Sequence, residues 1–574
     1  MNFNKIIELW SHIDQKRKIQ VVGLVFLTVV SSFAEIMSIG SIIPFFSIFS
    51  DSFSSGLNLP IYIRNIINEF SKIELLYIFI AIVITSGVIR LFLMYYINKI
   101  TYWIANDIVS KAFNNILHDE YETHLYINSS SIIATCTTKI KDLTNHIINP
   151  LITLVSYGLL SIIIISFLSL INFNVTMYIA FTVISIYVAI TFAVKGILLR
   201  LGAVMTHKQN LVQKTLQEGL SSIRDVIVMN LFKVYTDKFA NDDKEMRDAT
   251  SNIIILSQIP KYIIEMTIII MIVTLSYYFI EIEKKPELIP IIVAITVGAQ
   301  RLLPLLQQTF WSYSQLYGGN ESLIDILFLL NKENDYNFNF NLINFSKSIE
   351  LKNLSFKYLN SDECILEDIN ISIAKGQVIG IVGETGSGKS TLVDLILGLV
   401  KPTAGSVIID GVNLNDENKT SWYKLISHVP QNIFLIDGTI KENITLGSNP
   451  DEIDQKRLIS SIKLSCLEDF IMNDSEYGLD TNVGEKGSRV SGGQKQRIGI
   501  ARALYRNLPI LVFDESTNAL DIQTENKIIN NILNHDKTKT IIMITHRPES
   551  LNNCDMTIEV VHKNLKIKSL KRSI

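Results

Sequence analysis

Six apolar runs, each long enough to cross a bilayer, fall within the first 310 or so residues of this 574-residue chain. They constrain its fold more than any other feature, because a helical span takes about 20 apolar residues. The runs lie near 20–48, 75–97, 150–171, 174–195, 260–281 and 287–308. Residues 1–330 are therefore expected to form an α-helical membrane domain of six transmembrane helices. A mean hydropathy of +0.29 conceals the division, since the remainder of the chain reads as a soluble α/β domain. The first run follows Lys16-Arg17-Lys18, is too long for a signal-peptide core and lacks a small-residue cleavage site. It is expected to be retained.

Loop charge sets the orientation. The N-terminus and the stretches 98–149 and 196–259 carry many Lys and Arg, whereas 171–174 carries none. The positive-inside rule places both chain ends and the two long connections in the cytoplasm. Those connections keep apolar residues at helical spacing with few Gly or Pro, so they are expected to be helices that project beyond the bilayer. Turns are expected around Tyr121–Asn128 and Gly219–Arg224. Three basic residues interrupt the apolar spans, Arg90, Lys261 and Arg301, toward the cytoplasmic side. Two readings stand: they snorkel to the interface, or they line a cavity for an anionic head group. Glu265, one turn from Lys261, is a candidate partner for it.

The second half carries a different signal. Gly383-Glu384-Thr385-Gly386-Ser387-Gly388-Lys389-Ser390 follows the apolar run Val378–Val382 and precedes the helix-like run Thr391–Leu397. Strand, glycine turn and helix start, in that order, form a phosphate cradle. Glycines let backbone N–H groups close on phosphates, Lys389 reaches the terminal ones, and the Ser390 hydroxyl is placed to hold Mg²⁺. A second nucleotide signal is the apolar strand Pro509–Phe513 ending in Asp514 and Glu515. Asp514 is placed beside Mg²⁺, and Glu515 can polarise the attacking water. A net charge of −3 and a pI near 6.3 lend no support to a nucleic-acid role. The four cysteines show no metal-like spacing and read as reduced thiols.

Between the two signals lies Val490-Ser491-Gly492-Gly493-Gln494. This run resembles the Leu-Ser-Gly-Gly-Gln signature of ATP-binding-cassette (ABC) proteins, with Val490 in place of Leu. The resemblance implies an α/β P-loop nucleotide-binding domain, an ABC ATPase, over 345–574. It implies that Ser491, Gly492, Gly493 and Gln494 face the γ-phosphate bound by a partner cassette, where a helix N-terminus favours negative charge. By the same resemblance, Tyr358 stacks on adenine and Gly383 through Thr391 hold the phosphates. Gln431 contacts Mg²⁺ together with Ser390 and Asp514, and Gln431, Glu515 and His546 serve hydrolysis. Thr481–Gly487 resembles the loop that touches the coupling turns, and Asn518-Ala519-Leu520-Asp521 the loop that links two ATP sites.

Six spans followed by one cassette is similar to the layout of ABC exporter half-transporters. In that family ATP is sandwiched between two cassettes, so the resemblance implies a second copy of the chain, most simply a C2 homodimer. The expected activity is ATP hydrolysis, with ATP and Mg²⁺, coupled to transport across a bacterial inner membrane by alternating access. The basic residues 90, 261 and 301, the Arg301-Leu302-Leu303-Pro304 stretch and an amphipathic piece within Ser50–Lys72 resemble flippases for lipid-linked oligosaccharides. Gln308 stands where a second arginine is expected in that group. A lipid or lipid-linked oligosaccharide is the leading cargo, and peptides or amphipathic drugs are the alternative.

Overall fold

The computed structural model describes residues 3–42, 71–126, 129–171, 173–277, 289–316, 320–331, 342–358, 361, 363–516, 520–545, 547 and 551–569. Most of the connection Ser50–Lys72, together with Asn518 and His546, lies outside the described residues. The chain divides into two compact units, one of Met1–Asp119 with Ile127–Asn334, the other of Glu120–Tyr126 with Asp335–Ile574.

The described residues of the first unit form helices and no strand. Five of its described helices are long and apolar enough to cross a membrane: Gln15–Gly40, Ile73–Leu117, Ile132–Ile171, Phe173–Ser221 and Phe232–Thr274. The sixth expected span falls on the helix Ile289–Gln315, whose second half carries Gln300, Arg301, Gln307 and Gln308. The helix Phe173–Ser221 has 49 residues, about 73 Å at 1.5 Å per residue, more than twice the ~30 Å of a hydrocarbon core. The expected extensions beyond the bilayer are therefore present. The chain turns after Leu117 into a short helix, Tyr121–Tyr126, and after Ser221 into another, Ile223–Val228.

Packing in this unit combines a buried apolar core with large apolar side chains left exposed on its outside. The helix Gln15–Gly40 buries Thr28, Ser31, Ser32, Glu35 and Ser38 on its inner face and leaves Phe26, Phe33 and Met37 exposed. Lipid is as apolar as leucine, so outward side chains gain nothing from burial, while small polar ones let helices approach closely. Thr28 and Ser32 spend their hydroxyl donors on carbonyls four residues back, Leu24 and Thr28. At Gly298 a Cβ would stand 2.8 Å from a Leu168 methyl, so the Leu168 side chain of helix Asn149–Ile171 rests directly on the backbone of helix Ile289–Gln315 there.

Among its described residues the second unit carries ten strands in two sheets. They are β1 (Ser348–Phe356), β2 (Leu366–Ala374), β3 (Val378–Gly383), β4 (Ala404–Ile409), β5 (Val412–Asn413), β6 (Ile426–Val429), β7 (Ile510–Asp514), β8 (Thr540–Ile544), β9 (Met556–Val561) and β10 (Asn564–Ser569). The smaller sheet has the order β2-β1-β4-β5 and is antiparallel. The larger has the order β10-β9-β3-β8-β7-β6, parallel except for the β9–β10 pair. Its middle strands read as continuous apolar runs because both faces are covered. All five residues of β8 and the first four of β3 and β7 are buried. Parallel strands put their carboxyl ends along one edge, where ligands of open α/β sheets bind. The segments leaving β3, β8, β7 and β6 therefore emerge side by side.

Candidate active site

The first of those segments is the glycine turn. Gly383, Gly386 and Gly388 have φ of 150°, 82° and 101°, a region that favours glycine. A Cβ at Gly383 would lie 2.7 Å from both Ser387 Oγ and the Val560 carbonyl, and one at Gly388 2.9 Å from Ile365. The loop is thus a closed curve of backbone that admits no side chain at these points. Glu384 and Thr385 are exposed on its crest, and Ser390 is exposed at the start of the helix Lys389–Leu397. Lys389 is buried, and its Nζ donates to the carbonyls of Gly383 and Glu384 at 3.0 and 2.8 Å. Ser387 Oγ is buried without a hydrogen-bond partner among the described residues, which suits a site that receives an acceptor-rich group.

Two strands away, β7 ends in Asp514, and Glu515 follows with φ of 47°. A left-handed glutamate stores backbone strain and redirects the chain at that point. Gln431, which follows β6, donates its Nε2 to Glu515 Oε2 at 2.8 Å. Burial raises the Asp514 carboxyl above the usual range, the Glu515 charge adds to this, and Lys389 opposes it. The structure thus brings Lys389, Asp514, Glu515 and Gln431 to one edge, although 126 residues separate Lys389 from Glu515 in sequence. His546 is expected at the same edge, two residues past the end of β8, but lies outside the described residues.

Tyr358 packs edge-on against Phe356, with ring centroids 4.9 Å apart, and its Oη is 3.3 Å from Thr391 Oγ1. It therefore sits beside the phosphate-loop helix. Ser491 caps the helix Gly492–Tyr505 in a reciprocal pair: its Oγ accepts from the Gln494 N–H, and Gln494 Oε1 accepts from the Ser491 N–H. Gly492 and Gly493 open that helix. Among the described residues no hydrogen bond or ion pair joins Ser491–Gln494 to the loop Gly383–Thr391. Two acids that the sequence reading passed over also matter. Asp394, one turn and a residue beyond Lys389, has its carboxyl raised to about 6 by burial and then by Asp514. Its signal in sequence was an acid among apolar neighbours in a run read as helix-like.

The second such acid is Glu35, in the helical unit, and it bears on the basic residues. Glu35 is buried and forms an ion pair with Arg301, while Arg90 Nη1 lies 3.8 Å from its other oxygen. Arg301 also donates to Ser38 Oγ at 2.9 Å. Arg90 and Arg301 are thus neither snorkelling independently nor unpaired; both answer to one carboxylate. A lone acid inside an apolar span was the available signal. Lys261 lies over the Tyr262 ring at 5.5 Å and makes no ion pair with Glu265 among the described residues.

The fold and this edge of motifs define a class: an ATP-binding cassette of α/β type joined to a helical unit with long apolar helices. Comparison with known proteins agrees. Residues 366–518 match the family model described as ABC transporter. The chain is 37% identical over 217 residues to the beta-(1→2)glucan export ATP-binding/permease protein NdvA of Bartonella bacilliformis, a stretch covering 38% of this chain. It is 40% identical over 212 residues to a Staphylococcus aureus ATP-binding/permease protein named for multidrug export, covering 37% of this chain. Both matches span 36% of the relative's length. A solved structure of a bacterial Atm1-family ABC exporter with ATP bound superposes with a TM-score of 0.77 at 20% identity, over 97% of this chain and 95% of that one. That likeness is one of fold.

Proposed function

We propose that this protein is an ATP-driven exporter that works as a pair of identical chains in a bacterial inner membrane. It hydrolyses ATP at the edge built by β3, β7 and β6 and moves a lipid or lipid-linked oligosaccharide by alternating access. The observation that carries the reading is the convergence of Lys389, Asp514, Gln431 and Glu515 on one sheet edge beside a glycine loop that would clash with any Cβ at Gly383 or Gly388.

The residues fit ATP with Mg²⁺. Backbone N–H groups of Gly386–Ser390 and the Lys389 ammonium suit phosphate oxygens, and Tyr358 suits the adenine ring. Ser390, Gln431 and Asp514 are the oxygen donors for Mg²⁺, which usually takes few protein ligands and several from phosphate and water. When bound, the cation neutralises charge on the phosphates. Glu515 accepts the proton of the attacking water, and the amide of Gln431 orients that carboxylate. His546 is proposed to contact the γ-phosphate.

Ser491–Gln494 form a helix N-terminus suited to a phosphate, yet among the described residues they make no hydrogen bond or ion pair to the loop of their own chain. A second chain supplies the missing half of each site. Two cassettes closing on ATP, then parting after hydrolysis, switch the helices between inward-open and outward-open states. The saccharide part of the leading cargo draws support from the relative named for glucan export, and the drug alternative from the relative named for multidrug export.

Reconstitution in liposomes tests the proposal through the ATP-dependent accessibility of fluorescent lipid head groups. Glu515→Gln is expected to lower both ATP hydrolysis and head-group movement by about 100-fold or more while ATP binding persists. Turnover at the wild-type rate in that variant would overturn the assignment.

A further inference from the structure

The helix Ile522–His535 turns Ile528, Ile529 and Ile532 into an apolar core of the second unit. Helical spacing puts Glu525 at the head of that stripe, with a side chain only 2% exposed. An ionised carboxylate in such a place is costly unless it is paired and hydrogen-bonded. Its partner is Arg547, whose Nη1 donates to Glu525 Oε2 at 2.5 Å. The same guanidinium turns Nη2 to the Leu520 carbonyl at 3.0 Å. Arg547 is also held through its backbone. Its N–H donates to Thr545 Oγ1 at 3.0 Å, and the Thr545 N–H donates to the Ile381 carbonyl of β3 at 3.2 Å. On the other side Asp521 caps the helix, its carboxylate accepting from the Thr524 N–H at 2.8 Å.

One planar group thus meets the first turn of Ile522–His535 and the carbonyl of Leu520 while its own backbone follows β8. A guanidinium presents its donors in a rigid fork, so a shift of one acceptor turns the plane and pulls on the other. Two apolar side chains would fill the same space without the cost of burying charge, and a buried ion pair is weak evidence of net stability. Its best-attested use is to fix register. The segments it registers carry functional positions: His546 precedes Arg547 in sequence, and Leu520 belongs to Asn518–Asp521.

We propose that Arg547 is a positioning residue for ATP hydrolysis, its guanidinium joining the segment that carries His546 to Leu520 and Glu525 so that the two segments shift together when nucleotide binds. The inference rests on the hydrolysis reading, in which His546 contacts the γ-phosphate and Asn518–Asp521 links two ATP sites. The part of Arg547 is to hold those segments in one register, not to touch phosphate.

The test compares the wild type, Arg547→Lys, Arg547→Met and Glu515→Gln as full chains in phosphatidylcholine vesicles. Turnover is measured against ATP concentration, folded sites are counted by titration with a fluorescent ATP analogue, and thermal midpoints are recorded. Lysine keeps a charge for Glu525 but has no fork with which to reach Leu520 as well. Arg547→Lys is therefore expected to keep the wild-type midpoint and KM while kcat per folded site falls about tenfold, the size of one charge-assisted hydrogen bond. Arg547→Met strands the Glu525 carboxylate and should lower the midpoint as well as kcat. A merely structural pair would instead let lysine keep kcat along with the midpoint. Wild-type kcat per folded site in Arg547→Lys, or an unchanged midpoint in Arg547→Met, would overturn the inference. With Glu515→Gln inactive, that result counts against Arg547 alone; wild-type turnover in Glu515→Gln would sink the hydrolysis reading and this inference with it.

Discussion

At the scale of single residues, the nucleotide edge concentrates acids where few should be charged together. Asp394 and Asp514 are both pushed upward by burial, Asp394 to about 6. The sign follows from linkage. A carboxyl whose folded value lies above its ordinary 3.8 binds its proton more tightly in the folded state, so stability falls as pH rises between the two values. Asp394→Asn should therefore flatten the decline in thermal midpoint between about pH 4 and pH 6 and raise the midpoint at pH 7. A wild-type slope in the variant would show that Asp394 is not the titrating group. The position of Asp394 in an apolar helix was legible in sequence. Its electrostatics were not, because Asp514 lies 120 residues further along.

Elements of both units were largely legible, and for definite reasons. Apolar runs of bilayer length have few alternatives to helix, since every backbone group must be paired in lipid. The two turns expected around Tyr121–Asn128 and Gly219–Arg224 fall at the short helices Tyr121–Tyr126 and Ile223–Val228. The π-helical turns Thr135–Lys139 and Thr144–Ile148 were not legible, because an extra residue per turn leaves no compositional mark. The signature segment shows how one residue serves its element. Ser491 satisfies the Gln494 N–H at the start of Gly492–Tyr505, so Ser491→Ala should cost about 1 kcal/mol of stability, whereas Thr, which can still cap, should cost less. Denaturant midpoints of the three proteins, compared at equal slope, check this.

At the scale of the whole molecule, one carboxylate ties three spans together. Glu35 on Gln15–Gly40 meets Arg301 on Ile289–Gln315 and Arg90 on Lys72–Leu117. Two guanidiniums against one carboxylate leave one net positive charge in an apolar setting. Removing the acid strands both cations, and breaking a fully buried pair costs about 3–5 kcal/mol. The arginine side chains are 24% and 41% exposed, so Glu35→Gln should cost about 1–3 kcal/mol. Arg301→Gln should be more damaging than Arg90→Gln, because Arg301 makes the closer contact and is the less exposed. Thermal unfolding in detergent would rank the three. Equal stability for Glu35→Gln and the wild type would mean that the pair contributes nothing.

The chain by itself determined its division into an apolar helical half and a phosphate-binding half, the places where long helices turn, and the glycine loop with its lysine. These are local properties, written in composition, period and spacing over a few dozen residues. Only the tertiary structure decided that Gln431 reaches Glu515, that Asp394 and Asp514 share one buried edge, and that Glu35 claims two arginines. Each of those facts depends on which strands lie next to which, or on which face of a helix turns inward. Such adjacency joins residues from tens to hundreds of positions apart, and no local pattern encodes it.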